Sequence, residues 1–230
     1  MRIPRAFAFV DLSGFTRLTE VEGDEYAVSI LGTFRTMLRG VCSRRGVRIA
    51  KWLGDGAMIV GVETTPLIEA TLEVHHRVHW SVGASAPFEV RSGAAAGEVI
   101  LLEGDDYIGR PVNIAARLCD LADSGEVLAD ASVAADLPKW GTTTSSSEVA
   151  LRGLERPLSV VRLGMKPLVG LVAPDPVCGI PLTHDVAESI ARDSLGDEIW
   201  FCSESCRDTW ERRPRPADEL GSLRTPLIES

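Results

Sequence analysis

The sequence lacks long apolar runs and is short of basic side chains. The uncharged stretch from Pro167 to Pro174 is far below the roughly 20 residues that a membrane-spanning helix needs, so no membrane span is expected. Lys and Arg total 24 against 33 Asp and Glu, a net charge of −9. Because an anionic surface repels phosphate backbones, we expect no nucleic-acid partner.

Histidine and cysteine are also scarce, with four and five residues in 230. No apolar signal-peptide core precedes Asp11, so we expect a cytoplasmic, reducing location. Cysteines in such a compartment are expected to be buried thiols or metal ligands rather than disulfides. Cys42 and Cys119 stand alone at apolar helical positions and are interpreted as packing residues.

The length predicts one full-sized domain with a small addition. Helical spacing of apolar residues predicts helices at 24–44, 66–80 and 111–121. Short apolar runs predict strands at 7–10, 47–53, 57–62, 88–102 and 126–129, a loop at 141–147 and a hairpin at 149–163. Strands separated by helices and hairpins indicate an α/β sandwich with a mixed or antiparallel sheet.

We predict four regions along the chain. The main domain covers 1–164, and a proline-containing linker covers 165–174. The region 175–213 is too small to build much core unaided, which a bound metal would help to explain. The tail 214–230 is expected to be disordered.

Two carboxylates follow predicted strands, Asp11 at a strand end and Asp55 at a hairpin tip. If the strands are neighbours, the carboxylates converge, and such a pair requires a cation such as Mg²⁺. The residues that lead from Asp11 into a helix, whose backbone amides can bind phosphate, are Ser13, Gly14, Phe15 and Thr16. The alternative is that Asp55 is only a turn residue favoured by the following Gly56.

Asn113 and Arg117 are four residues apart and share a helix face. An amide and a guanidinium on one face could clamp a charged transition state. The alternative is an exposed arginine beside an N-terminal asparagine.

Three segments in order resemble the catalytic domain of class III adenylate/guanylate cyclases. They are 9–16 (FVDLSGFT), 51–56 (KWLGDG) and 109–118 (GRPVNIAARL), and Gly125–Leu128 follows as in that family. The resemblance covers about residues 5–163 and implies a ferredoxin-like α+β sandwich. Where the family commonly has larger side chains, 91–97 reads RSGAAAG, which predicts looser packing.

The resemblance also implies site residues. Asp11 and Asp55 correspond to the two aspartates that bind two Mg²⁺ or Mn²⁺ ions, with the Leu12 carbonyl as a further ligand. Asn113 and Arg117 correspond to the catalytic pair that orients the ribose and stabilises the pentavalent phosphorus. The reaction would convert ATP to cyclic 3′,5′-AMP and pyrophosphate by two-metal catalysis.

Lys51 and Asp106 correspond to the family's base-reading positions. A lysine donor and an aspartate acceptor complement N1 and the amino group of adenine, whereas guanine presents the reverse pattern. ATP is therefore expected rather than GTP. In the family each site is shared between two chains, so the resemblance implies a homodimer.

The segments 175–179 (DPVCG) and 200–206 (WFCSESC) resemble a YHS/TRASH-like metal-binding module. Soft sulfur ligands at Cys178, Cys202 and Cys206 favour Zn²⁺ or Cu⁺. A tetrahedral site would lack one ligand, for which His184, water or an aspartate is a candidate. The alternative is three thiols in a small apolar core.

The leading hypothesis is therefore an adenylate cyclase that its C-terminal module modulates through metal or redox state. One rival is a catalytically silent cyclase-like domain that binds nucleotide or recruits a partner. Another is a guanylate cyclase.

Overall fold

A computed structural model describes residues 2–81, 88–102, 106–193 and 195–213. The predicted tail at 214–230 lies outside these described residues. Within the described ranges, no helix combines the length and the apolar character needed to cross a membrane.

The described chain alternates strands and helices. The helices are α1 (Phe15–Glu22), α2 (Asp24–Arg45), α3 (Thr64–Ser81), α4 (Arg110–Leu121) and α5 (Glu204–Glu211), with a 3₁₀ helix at Ala131–Asp136. The strands are β1 (Arg2–Ser13), β2 (Arg48–Leu53), β3 (Gly56–Gly61), β4 (Glu89–Leu101), β5 (Tyr107–Ile108), β6 (Val127–Asp130), β7 (Gly141–Val149), β8 (Leu158–Met165), β9 (Ala173–Pro174), β10 (Pro181–Leu182), β11 (Ser189–Arg192) and β12 (Glu198–Phe201).

Eight strands form one mixed sheet in the order β2-β3-β1-β4-β6-β8-β7, with β5 paired to β4. Only the β4–β6 pair among them is parallel. The central position of β1 follows from its apolar residues, which are buried on both faces. The predicted α+β class with a mixed sheet is confirmed.

Alternation along β1 assigns its side chains to two cores. Ala8 and Val10 pack with residues of α2 and α3 on one face. Phe7 packs with residues of α4 on the other face. Asp11 has the same parity as Phe7, so the strand directs its carboxylate to the α4 face of the sheet.

Contrary to the prediction of looser packing at 91–97, α4 lies directly against β4. A Cβ atom at Gly93 would be 2.1 Å from the Cys119 nitrogen and 2.2 Å from the Ala115 carbonyl oxygen. The small residue is therefore required, because only glycine lets the helix backbone approach the sheet this closely.

Two predicted boundaries are wrong. The first strand does not end at Asp11, because β1 pairs with β4 continuously from Arg2 to Ser13. The predicted loop at 141–147 belongs to the edge strand β7, which pairs with β8. Its threonines and serines carry no apolar signal, but backbone pairing at a solvated edge does not require one.

The C-terminal segment, residues 173–213, packs against the helices of the main sheet. Its buried Ile180 and Phe201 belong to the same hydrophobic cluster as Phe34 and Leu38 of α2. The predicted linker is also shorter than expected at both ends, since β8 reaches Met165 and β9 begins at Ala173. The segment therefore shares a core with the main domain.

His75 of α3 carries a testable pH dependence. Its Nε2 atom is hydrogen-bonded to the buried Ser92 Oγ at 2.9 Å. Burial lowers the pKa of His75 from 6.5 to about 4. Between these values the unfolded chain binds the proton and the folded chain does not, so stability falls as pH drops.

We expect the free energy of unfolding to decrease by about 1–2 kcal/mol between pH 7 and pH 5 through this histidine. Urea unfolding of wild type and His75→Gln at several pH values measures it. If the free energy of unfolding of His75→Gln depends on pH as strongly as that of wild type, His75 is not the source of the pH dependence.

Candidate active site and cysteine cluster

The two oxygens of the Asp11 carboxylate have different surroundings. Arg91, opposite it on β4, donates from Nη2 at 2.8 Å and from Nε at 3.1 Å to Asp11 Oδ2. Asp11 Oδ1 faces the β2–β3 turn, where a Cβ atom at Gly56 would be 2.8 Å from it. Gly56 therefore leaves the space in which this oxygen lies.

Asp55 lies in that turn, next to Gly54, whose φ of +64° suits a tight hairpin. Burial and the charge of Asp11 together raise the pKa of Asp55. The Asp11 carboxylate lies against Gly56, directly after Asp55 in the chain, so the two negative charges face the same turn. Their mutual repulsion is the condition that a shared cation relieves.

A cavity of about 260 Å³ opens beside Asp11. Its walls come from β1, the β2–β3 turn and the outer surface of α4. The lining residues are Phe9, Val10, Asp11, Leu53, Gly56, Ala57, Ala116, Cys119 and Asp120.

The residues after Asp11 form a sharp entry into α1. The Leu12 side chain is buried on the opposite face, so only its backbone could contribute to the site. Gly14 has φ of +76° and precedes the helix, whose first residues are Phe15 and Thr16. Ser13 Oγ is buried and has no hydrogen-bond partner among the described residues.

Lys51 and Asp106 meet at the surface, although 55 positions separate them. Lys51 Nζ lies 2.8 Å from Asp106 Oδ1, and both side chains are nearly half exposed. The hydrogen bond from Lys51 and that from the Tyr107 amide lower the pKa of Asp106. The lysine is thus a charged donor and the aspartate a charged acceptor.

Asn113 and Arg117 project from α4, with Asn113 exposed and Arg117 half-buried. The Arg117 guanidinium lies against Gly153, where a Cβ atom would be 3.3 Å from Nη1. Gly153 has φ of +84° and so fits both the turn and this contact.

The structure thus brings the predicted residues together in two groups. Asp11 lines the cavity and Asp55 lies in the adjoining β2–β3 turn without lining it, while Lys51 and Asp106 form a separate pair. Lys51, Asp106, Asn113 and Arg117 are all absent from the residues that line the described cavity. Sequence reasoning assigned no role to Arg91, although its place opposite Asp11 follows once β1 and β4 are paired.

A second cluster forms in the C-terminal segment. Ligand atoms of Asp175, Cys178, Cys202 and Cys206 all lie within 4.8 Å of one another, and all four residues are buried. The Sγ atoms of Cys178 and Cys202 are 3.4 Å apart, and those of Cys202 and Cys206 are 3.6 Å apart. Thiolates around a tetrahedral zinc ion are separated by about 3.8 Å, so the cluster fits such an ion.

His184, predicted as a candidate fourth ligand, lies outside this cluster. Its side chain is 65% exposed, and its Nε2 lies 3.8 Å from Glu198 Oε2. Its ring packs edge-on against Trp200. The fourth member of the cluster is Asp175, an aspartate being one of the predicted alternatives to His184.

The Asp175 carboxylate also orders the cluster. Its Oδ1 accepts hydrogen bonds from the amides of Val177 and Cys178, and its Oδ2 accepts one from Cys202 at 2.8 Å. Hydrogen bonds from the neighbouring thiols lower the pKa of Cys206. One carboxylate thus connects the two turns that carry the cysteines.

The isolated cysteines occupy packing positions. Cys42 and Cys119 are buried, and burial raises the pKa of each thiol to about 12. Such thiols are poor nucleophiles and poor metal ligands.

The chain is similar in sequence to several known proteins. No protein-family model matches the chain. An uncharacterised protein of Mycobacterium tuberculosis is 33% identical over 159 residues, which are 69% of this chain and 41% of that protein. A Streptomyces coelicolor protein described as an adenylate cyclase is 35% identical over 133 residues, 57% of this chain and 34% of that protein.

Solved structures share the fold. The adenylyl cyclase CyaB from P. aeruginosa superposes with a TM-score of 0.63 at 23% identity, over 73% of this chain and 96% of that chain. The guanylyl cyclase Cya2 gives a TM-score of 0.62 at 20% identity, over 72% of this chain and 94% of that chain. At these identities the likeness establishes the fold.

The chain therefore has the fold of class III nucleotidyl cyclase catalytic domains. Proteins described as adenylate cyclases are among its homologues. It spans 41% and 34% of the length of the two relatives described above.

Proposed function

We propose that this protein is an adenylate cyclase that converts ATP to cyclic 3′,5′-AMP and pyrophosphate. The observation that carries the proposal is the position of the Asp11 carboxylate at a cavity on a cyclase fold, with its Oδ1 against Gly56, the residue that follows Asp55. A domain that only binds nucleotide does not need two carboxylates whose negative charges repel each other.

The two aspartates fit a pair of divalent ions, Mg²⁺ or Mn²⁺. Their oxygens are hard ligands, and a divalent cation between them would relieve the repulsion that the Arg91–Asp11 ion pair offsets in part. Bound ions would lower the pKa of the ribose 3′-hydroxyl and neutralise the triphosphate. We assign the Leu12 carbonyl as an additional oxygen ligand.

Other residues of the chain would bind and orient the substrate. The amides that begin α1, from Ser13 to Thr16, form a phosphate-binding helix end. The Arg91 guanidinium adds a positive charge beside Asp11. Asn113 would orient the ribose, and Arg117 would stabilise charge that develops on the α-phosphate.

The Lys51–Asp106 pair supports adenine as the base. Lys51 would donate to N1 and Asp106 would accept from the amino group, and both side chains are accessible. A guanine ring would place a donor against the lysine and an acceptor against the aspartate. GTP is the second candidate substrate, because one structural neighbour is a guanylyl cyclase.

We further propose that two copies of the chain share each site. The cavity of about 260 Å³ lies below the range of about 300–1,000 Å³ that is usual for small-molecule sites. The four residues assigned to base, ribose and phosphate do not line it. A second copy would supply them to the aspartates of the first.

A direct assay separates the candidate functions. Purified protein receives ATP or GTP with Mn²⁺ or Mg²⁺, and cyclic nucleotide and pyrophosphate are quantified. Cyclic AMP in preference to cyclic GMP supports the proposal. Nucleotide binding without either product would favour the catalytically silent alternative.

Lys51→Met should lower kcat/KM for ATP about tenfold, because a buried base nitrogen would lose its hydrogen bond. The kcat/KM for GTP should change less, so the ratio of kcat/KM for ATP to that for GTP should fall. Lys166→Met, which removes an exposed lysine outside this pair, provides the control. Equal losses with both nucleotides would contradict a base-reading role.

The cysteine cluster is proposed as a second metal site. Its three sulfurs and one oxygen suit Zn²⁺ better than Cu⁺, because Cu⁺ disfavours carboxylate ligands. Modulation of the cyclase by this site is supported by the hydrophobic cluster that the C-terminal segment shares with α2 and β1. Cyclase rates with and without Zn²⁺, in wild type and Cys202→Ser, test it, and equal rates would leave the site structural.

A further inference from the structure

Arg45, the last residue of α2, reaches from the main domain into the cysteine cluster. Its side chain is fully buried. Its Nη2 lies 3.0 Å from Cys202 Sγ, and its Nη1 lies 2.7 Å from Ser203 Oγ. Nη1 also donates to Glu69 Oε2 at 2.9 Å, and Nε donates to Glu73 Oε2 at 3.0 Å. The Arg45 side chain thus connects α2, to which it belongs, and α3, which carries both glutamates, to the cysteine cluster.

Glu73, one of the two carboxylates that face Arg45, has other cationic partners. Arg44 and Arg77 both form ion pairs with Glu73, the latter at 2.7 Å. Arg77 also donates to the Val177 carbonyl oxygen at 3.4 Å, one residue before Cys178. Arg44 and Arg77 therefore share the neutralisation of Glu73 with Arg45.

A filled site requires this charge. Three thiolates and one carboxylate carry four negative charges, so a divalent ion leaves a net charge of −2. The four ligand residues are 0–4% exposed, and a buried net charge without compensation is costly. A guanidinium donating to a ligating sulfur supplies both the opposite charge and a charge-assisted hydrogen bond.

We propose that Arg45 is the outer-shell partner of a Zn²⁺ site whose four ligands are Asp175, Cys178, Cys202 and Cys206. The site is therefore composite, because its ligands belong to the C-terminal segment and its counter-charge belongs to α2. This inference rests on the proposal that the cluster binds metal. It makes metal affinity a property of the docked segment rather than of a free-standing module.

The alternative role of Arg45 is a structural ion pair with Glu69 and Glu73. In that case its loss would destabilise the fold but would leave the zinc affinity of folded protein unchanged. The donor geometry distinguishes Arg45 from Arg44, which contacts the same Glu73. Arg45 is the one of the two with a recorded contact to a cluster sulfur among the described residues.

The experiment measures Zn²⁺ affinity of the full chain by competition with a chromophoric chelator, at constant pH. Arg45→Gln should weaken the affinity about 10–100-fold, the usual effect of removing an outer-shell partner. Arg44→Gln, which alters the same ion-pair network without touching sulfur, should stay within about threefold. Asp175→Asn should also weaken binding, and it should change the absorption of the Co²⁺-substituted protein.

Arg45→Lys provides a second variant that keeps the charge beside Glu73 if Arg45→Gln does not fold. It loses the forked donors, so its affinity should fall about tenfold. Wild-type affinity in folded Arg45→Lys, or equal losses in Arg45→Gln and Arg44→Gln, would overturn the inference. Failure of the wild type to bind Zn²⁺ would instead overturn the underlying metal proposal.

Discussion

Asp55→Asn should lower cyclic AMP formation about 10³-fold or more, because the amide cannot replace an anionic metal ligand. The same variant should unfold at an equal or higher urea concentration. In the absence of substrate, burial and the charge of Asp11 raise the pKa of Asp55, so the native carboxylate is unfavourable where it lies. Loss of activity with retained stability is characteristic of a residue placed for function.

Initial rates and urea unfolding measure both parts of this prediction. Asp123→Asn, which changes an exposed carboxylate just beyond α4, is the matched control and should leave both unchanged. Activity above about a tenth of wild type in Asp55→Asn would exclude a metal-binding role. A large loss of stability would show that Asp55 is a structural turn residue.

Mixing Asp55→Asn with Arg117→Ala should restore activity that neither variant has alone. In a two-fold symmetric dimer, each site would take its aspartates from one chain and its arginine from the other. A heterodimer then holds one intact site and one site with both defects. Random pairing of equal amounts should recover roughly a quarter of wild-type activity.

Differently tagged chains allow the heterodimer to be isolated before assay. A mixture of Asp55→Asn with Asp11→Asn serves as the control, because both defects fall in the same half of the site and no intact site forms. An inactive heterodimer of Asp55→Asn and Arg117→Ala, with active wild type, would show that each chain builds its own site.

Local sequence patterns were sufficient to locate most of the candidate site. Asp55 was expected at a hairpin tip because Asp-Gly follows an apolar run, and the β2–β3 turn has this form. The spacing of Asn113 and Arg117 places both on α4. The proximity of Lys51 and Asp106 required the family resemblance, because no local pattern connects residues 55 positions apart.

Features set by tertiary packing were not predictable. The fourth ligand atom of the cysteine cluster comes from Asp175, since the fold of two turns, rather than the presence of histidine, decides which oxygen or nitrogen is near the sulfurs. The requirement for Gly93 became evident only from the position of α4. Arg45 was not singled out, because a basic residue at a helix end usually needs no partner beyond the helix dipole.

The central claim is that Asp11 and Asp55 bind divalent ions that act on a nucleoside triphosphate. The most direct test is the rate of cyclic AMP formation by the purified chain as free Mn²⁺ rises beyond the amount needed to saturate ATP. We predict a rate that continues to rise in wild type and is absent in Asp55→Asn. No cyclic product at any Mn²⁺ or Mg²⁺ concentration, from protein that is folded and dimeric, would contradict the account.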